Sequence, residues 1–161
     1  MISYAEALER LLLAAKPIED TETIPLLYST NRVLAHDVVS PISVPGWDNS
    51  QMDGYAVHTV DLADGKLGPV RLAVSERITA GSVGTKLERG TVARIFTGAP
   101  LPEGADAVVP QEDVEVNEDG VLFTKPVKPG AWVRRKGSDV EAGSTVLEAG
   151  ARLTPGAIGM L

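Results

Sequence analysis

Pro45-Gly46-Trp47-Asp48-Asn49-Ser50-Gln51-Met52-Asp53-Gly54-Tyr55-Ala56-Val57 sets two carboxylates, an Asn and a Ser among two glycines and then turns apolar. Asn, Asp and Ser bond their own backbone in turns, and Gly supplies positive φ. The plain reading is a hairpin with good turn chemistry. The other reading is a loop that holds a ligand.

Working outward, the texture from Trp47 to about Lys136 is all-β. Short apolar runs alternate with Gly, Pro and acidic turns: Tyr55–Val60, Val70–Val74, Thr91–Phe96, Ala107–Val109, Val114–Val116 and Val121–Phe123. Asp119-Gly120 between the last two is a hairpin signal. Strands this short and frequent predict a small closed barrel or sandwich. Segments 81–90 and 100–106 are loops rich in Gly, Pro and charge. Upstream, Ser3-Tyr4-Ala5-Glu6 is a capping box for a helix over 3–15, with Tyr4, Ala7, Leu8, Leu11 and Leu12 on one face and Pro17 as its stop. Residues 24–27 and 32–39 read as short extended or irregular pieces. Downstream, 141–153 reads as two short strands with turns at Gly143 and Gly150. Thr154-Pro155 then opens a helix. That helix breaks off within about two turns on an apolar residue, so a truncated chain is expected.

The chain has 161 residues, 43% of them hydrophobic but only 4% aromatic, so its core must be mostly aliphatic. Its formal charge of -7 and pI of about 4.8 argue against a general binder of nucleic acid or anionic membrane. A local basic pocket for a small anion stays open. With no cysteine, disulfides, thiolate catalysis and Cys-based metal sites are excluded. His36 and His58 are too isolated for a zinc site. No apolar run approaches the ~18 residues of a membrane span. Met1 opens directly onto a helix rather than a leader, so a cytoplasmic location is expected.

Three runs, in order, carry a family resemblance. Pro45–Val57 resembles the signature loop of the MoeA/gephyrin E-domain family, the molybdenum insertases of molybdenum cofactor biosynthesis. Arg94-Ile95-Phe96-Thr97-Gly98-Ala99-Pro100-Leu101-Pro102-Glu103-Gly104-Ala105-Asp106-Ala107-Val108-Val109 resembles its R-I-x-T-G-A-x-x-P-x-G-x-x-A-V-V segment. Val133-Arg134-Arg135-Lys136-Gly137-Ser138-Asp139-Val140, with Ala142-Gly143 and Gly150, is the third. The resemblance implies a mixed α/β, predominantly β fold. An elongated domain I with the N-terminal helix (1–46 plus 138–161) would carry an inserted small β-barrel-like domain II (47–137). The molybdopterin-binding domain would follow the helix opened at Thr154.

Asp53 matches the acidic residue of the family's Met-Asp-Gly-Tyr-Ala-Val motif. The resemblance implies a catalytic role facing the active cleft and positioning of Mg²⁺; an exposed carboxylate can hold Mg²⁺ through water or polarise a bound water. The plain alternative is a turn dipeptide with Gly54. Thr97 stands where the family's Thr-Gly-Ala-Pro motif carries a functional Thr. Its hydroxyl can donate to a phosphate or molybdate oxygen, with Gly98 allowing close approach. Equally, it can simply end a strand. Arg134, Arg135 and Lys136 form a concentrated basic patch suited to an anion, or a solvated strand end paired with Asp139 and Glu141. At least one of the three should point away. Asp48, Asn49 and Ser50 shape the loop, with Ser50 also a substrate-binding candidate. Glu112 resembles the acid of the family's Gln-Glu pair, although Pro110 departs from the family pattern. Gly81-Ser82-Val83-Gly84-Thr85 lacks the Lys and helix of a phosphate loop. His58 reads as an exposed strand residue, and Trp47 and Trp132 as packing residues, although either could stack on a pterin.

The family reaction transfers molybdate to adenylylated molybdopterin with loss of AMP, aided by Mg²⁺. The resemblance implies a homodimer whose cleft joins domain II of one subunit to the pterin-binding domain of the other. It implies a molybdopterin-adenylylating protein and molybdoenzyme apoproteins as pathway partners, and no nucleic acid or membrane. The chain by itself is expected to be inactive. The alternative is a non-catalytic, gephyrin-like dimerisation or scaffold module, which the exposed edges of a small β domain also permit.

Overall fold

The computed structural model describes residues 2–16, 18–63 and 69–161. Met1, and Pro17 as the expected helix stop, lie outside them. In chain order the elements are α1 (Tyr4–Ala14), β1 (Val38–Val39), β2 (Asn49–Ser50), β3 (Gly54–Val57), α2 (Thr59–Ala63), β4 (Val70–Ile78), β5 (Thr91–Ile95), β6 (Ala107–Pro110), β7 (Val114–Asn117), β8 (Gly120–Phe123), β9 (Val133–Arg134), β10 (Thr145–Leu147) and α3 (Pro155–Ile158). The fold is mostly β with few helices, as the sequence predicts. It comprises two compact units: Met1–Val38 with Leu147–Leu161, and Val39–Val146.

In the first unit, α1 opens with the expected capping box. Glu6 N–H donates to Ser3 Oγ at 3.3 Å, and Ser3 N–H donates to Glu6 Oε2 at 2.8 Å. The helix ends at Ala14 with Ala15 extended, and none of its residues is buried. The segments 31–34 and 151–153 exchange backbone bonds, among them Asn31 N–H to Leu153 O and Leu153 N–H to Arg32 O, both 2.8 Å. Thr154 caps α3 by accepting Ala157 N–H at 3.2 Å, with Pro155 at the first position.

The second unit is a curled six-stranded sheet in the order β6-β3-β5-β4-β8-β7. Every neighbouring pair is antiparallel except β4 with β5. The two edge strands, β6 and β7, are joined by a single 3₁₀ turn at Gln111–Asp113. The edges β6 and β7 are not paired with each other, so the sheet is a curled half-barrel rather than the closed barrel or sandwich expected. β3 lies between β5 and β6 with all four residues buried. Tyr55 and Val57 enter one apolar cluster with Leu72, Val92, Val109 and Phe123, whereas Ala56 enters a second with Ile78, Leu87, Ile95 and Val108. Period-2 alternation therefore fills both faces of the same strand.

The strand expected over Tyr55–Val60 stops at Val57, and α2 takes Thr59 onward. The Asp106 carboxylate decides this. Its oxygens accept Thr59 N–H and the Thr59 hydroxyl, each at 2.7 Å, supplying a helix cap from 47 residues away. β4 also runs past the expected Val74 to Ile78. The β7–β8 hairpin forms with Asn117 opposite Gly120. Gly120 has φ +123°, and a Cβ there would stand 2.4 Å from Leu72 O.

At Gly54 the constraint is space: a Cβ would lie 2.1 Å from Val109 O. Gly54→Ala is therefore expected to force β3 from β6 and cost about 2–3 kcal/mol. A chemical-denaturation midpoint equal to that of the unsubstituted chain would refute this packing.

Candidate functional site

The loop ahead of β3 is pinned from both sides. Gly98 N–H donates to Ser50 O at 2.9 Å, Ser50 N–H to Ala99 O at 3.0 Å and Gln51 N–H to Trp132 O at 3.0 Å. β2 pairs with β9, setting Asn49 opposite Arg134 and Ser50 opposite Val133. Ser50 is only 1% exposed. Its hydroxyl donates to Met52 O at 2.6 Å and accepts Met52 N–H at 3.2 Å, so it closes a turn inside its own loop.

This anchoring delivers Asp53 to Thr97. Thr97 N–H and the Thr97 hydroxyl both donate to Asp53 Oδ1 at 2.8 Å. The hydroxyl proton is thus directed at the carboxylate. Asp53 Oδ2 has no protein partner among the described residues. The Thr97 amide first, then its hydroxyl, then the Arg94 charge hold the Asp53 carboxyl below its ordinary value, against a small opposing desolvation. Asp53 is therefore an ionised, partly exposed carboxylate with one oxygen clamped.

Arg94 extends the cluster. Its Nη1 donates to Gly54 O at 2.9 Å and its Nη2 to Gln111 Oε1 at 2.5 Å. Gln111 Nε2 in turn donates to Glu112 Oε1 at 3.2 Å, and Gln111 N–H donates to Asp53 O at 3.0 Å. Glu112 thus joins the same network as Asp53 and Thr97, two links away. β6 ends at Pro110, and Gln111 begins the turn that carries these side chains.

The basic run behaves differently. Asp48 Oδ1 accepts Lys136 N–H at 2.8 Å, and its Oδ2 accepts Arg135 Nη1 at 2.5 Å. The Lys136 amide first, then Arg135, hold the Asp48 carboxyl below its ordinary value, against partial burial. Arg135 is therefore paired with Asp48, rather than with Asp139 or Glu141. Arg134 and Lys136 are exposed, and their side chains make no ion pair among the described residues.

Three lesser expectations are corrected. His58 is half-buried beyond the end of β3, with Nε2 2.9 Å from Leu87 O. A carbonyl only accepts, so Nε2 carries the proton there. Trp47 and Trp132 are 57% and 46% exposed, not packed inside. Sequence reasoning singled out neither Arg94 nor Gln111. Arg94 lies three residues before Thr97 in the quoted run, but only strand register reveals what it touches.

Both depressed carboxylates contribute stability that is present above the ordinary aspartate range and is lost as pH falls through their lowered values. Thr97→Val removes one of the two donors to Asp53 Oδ1. It is expected to raise the Asp53 value toward, but not to, the ordinary one, because the backbone donor remains. Carboxyl ¹³C titration of both proteins reads this, and an unmoved Asp53 midpoint would rule out the hydroxyl clamp.

Residues 2–161 match the family described as MoeA N-terminal region (domain I and II). The chain is 40% identical to a molybdopterin molybdenumtransferase of Synechococcus elongatus, over 98% of this chain and 40% of that protein. It is 40% identical to the Haemophilus influenzae protein of the same name, over 100% of this chain and 39% of that protein. The crystal structure of a molybdopterin biosynthesis moeA protein from Pyrococcus horikoshii OT3 superposes with a TM-score of 0.91 at 37% identity, covering all of this chain and 43% of that one. The chain thus spans about 40% of the length of these relatives. With residues 2–161 matched, it belongs to the MoeA family, as a match to that family's N-terminal domains I and II.

Proposed function

We propose that the chain supplies domains I and II of a molybdopterin molybdenumtransferase, which transfers molybdate to adenylylated molybdopterin with release of AMP. The observation that carries this reading is the Asp53–Thr97 pair. An ionised carboxylate is held by two donors on one oxygen and left open on the other, at the junction of two motif loops.

In this reading Thr97 orients Asp53, and Asp53 Oδ2 faces the reacting groups. The fit to Mg²⁺ is that of a shared site. Among the described residues no group of three or more His, Asp or Glu side chains could hold a metal. Mg²⁺ commonly takes one or two carboxylates and completes its shell with waters and substrate phosphates. Asp53 would hold the ion through Oδ2, and the ion would supply charge neutralisation at the phosphates. Arg134 and Lys136 offer cationic contacts to the anionic substrate, Arg135 serves the site by pairing with Asp48 and holding the loop, and Glu112 stands as a polar substrate contact two links from Asp53. Ser50 contributes by fixing the loop. The rest of the cleft, including the pterin pocket, comes from a following domain of a homodimer partner. A cytoplasmic setting, with the adenylylating protein upstream and molybdoenzyme apoproteins downstream, completes the reading.

A second reading is a dimerisation or scaffold module. It is favoured by α1, whose Tyr4, Leu11, Leu12 and Leu13 are exposed. The two separate at Asp53. In a version extended to the relatives' full length, Asp53→Asn is expected to lower molybdenum insertion about 100-fold or more with self-association intact. Full turnover by that variant would exclude the insertase role of Asp53. The 161-residue chain tested without extension is expected to give no insertion above background.

A further inference from the structure

We propose that Arg77 and Arg94 form an anion-binding subsite beside the Asp53–Thr97 pair. Its ligand is a multiply charged oxyanion, either the phosphate bridge of the substrate or molybdate. The proposal rests on the reading of Asp53–Thr97 as the functional site, and it names the charges that would meet the anion there.

The register of β4 and β5 sets Arg77 directly opposite Arg94. Both guanidinium groups lie over the ring of Phe96, at 4.6 and 4.5 Å from its centroid. Arg94 also lies over Tyr55, at 5.3 Å. Phe96 immediately precedes Thr97, so the ring that carries the two cations is one residue from the Asp53 clamp. Neither arginine makes a salt bridge among the described residues, although the Arg94 charge acts on Asp53. The Arg77 side chain makes no hydrogen bond there either. Arg94 uses Nη1 and Nη2 on neutral acceptors, Gly54 O, Ile95 O and Gln111 Oε1, and keeps its Nε–H.

Two like charges beside one ring repel each other, and the aromatic face offsets only part of that. An oxyanion bound by both guanidinium forks removes the repulsion and uses their free donors. The groups opposing an anion are Asp53 and, two links away, Glu112. Asp53 already has its charge shared with Thr97 and Arg94. By contrast, Arg135 in the sequence-obvious basic run spends its charge on Asp48.

The test is titration of the ¹⁵N-labelled chain with pyrophosphate and, separately, with molybdate. The readouts are the amides of Phe96, Thr97 and Gly98 and the Nε–H signals of Arg77 and Arg94. Saturable shifts are expected. Arg77→Gln should weaken binding about five-fold or more, Arg77→Lys should weaken it less, and Arg71→Gln, on the same strand, should leave it unchanged. Saturation by pyrophosphate assigns the subsite to the phosphate bridge, and saturation by molybdate alone assigns it to the oxyanion substrate. Absence of saturable shifts with both, or equal affinity in Arg77→Gln, overturns the subsite. Arg94→Gln is left out of the decision because Arg94 also ties β3 to the Gln111 turn. Equal affinity in Arg77→Gln with an inactive full-length Asp53→Asn would remove the subsite and keep the proposed function. Weakened affinity with an active Asp53→Asn would do the reverse.

Discussion

Everything in the second unit depends on how closely β3 can approach β6. Gly54 has no side chain, and Val109 O occupies the space a Cβ would need. That approach puts Gly54–Val57 in the middle of the curled sheet, buried on both faces. Apolar clusters on each side then lock its register, because a one-residue slip would exchange Tyr55 and Val57 with Ala56 between two cores built from different residues. Asp53 is the residue before this fixed strand, so its position is inherited from the core.

The polar groups above that core are connected rather than scattered. Asp53 is held by Thr97, its backbone carbonyl by Gln111, and Gln111 by Arg94, which also grips Gly54. Three separate stretches of sequence meet in this network. At the other end of the same loop, Asp48 gathers Arg135 and the Lys136 amide. One loop thus carries two carboxylates in different states. Asp48 is held first by the Lys136 amide and pairs its other oxygen with the Arg135 cation, whereas Asp53 is held mainly by the two Thr97 donors on one oxygen and keeps the other open. That difference leaves Asp53 with the free oxygen that Asp48 lacks.

Much of this was legible in advance. The capping box at Ser3 and Glu6, the Thr154-Pro155 helix start and the β7–β8 hairpin are local signals, and local chemistry produced them. The alternating apolar runs marked six strands. Asp53 and Thr97 were legible as a pair of motif residues, but not as a hydrogen-bonded pair. α2 was missed because its cap, Asp106, is distant in sequence. The basic run at 134–136 drew attention through composition, yet composition is blind to the partner that Asp48 supplies to Arg135.

By itself, then, the sequence determined most of the strands and both terminal helix starts, the mainly aliphatic core, the lack of cysteine and the loops on which the candidate residues stand. These follow from periodicity, capping and side-chain inventory, which act over a few residues. The tertiary structure decided which polar groups meet. It turned the Thr97 hydroxyl toward Asp53, spent Arg135 on Asp48, closed Ser50 into its own turn and placed Arg77 across from Arg94 over one ring. Strand register and loop pinning set those distances, and both arise from contacts between segments far apart in the chain.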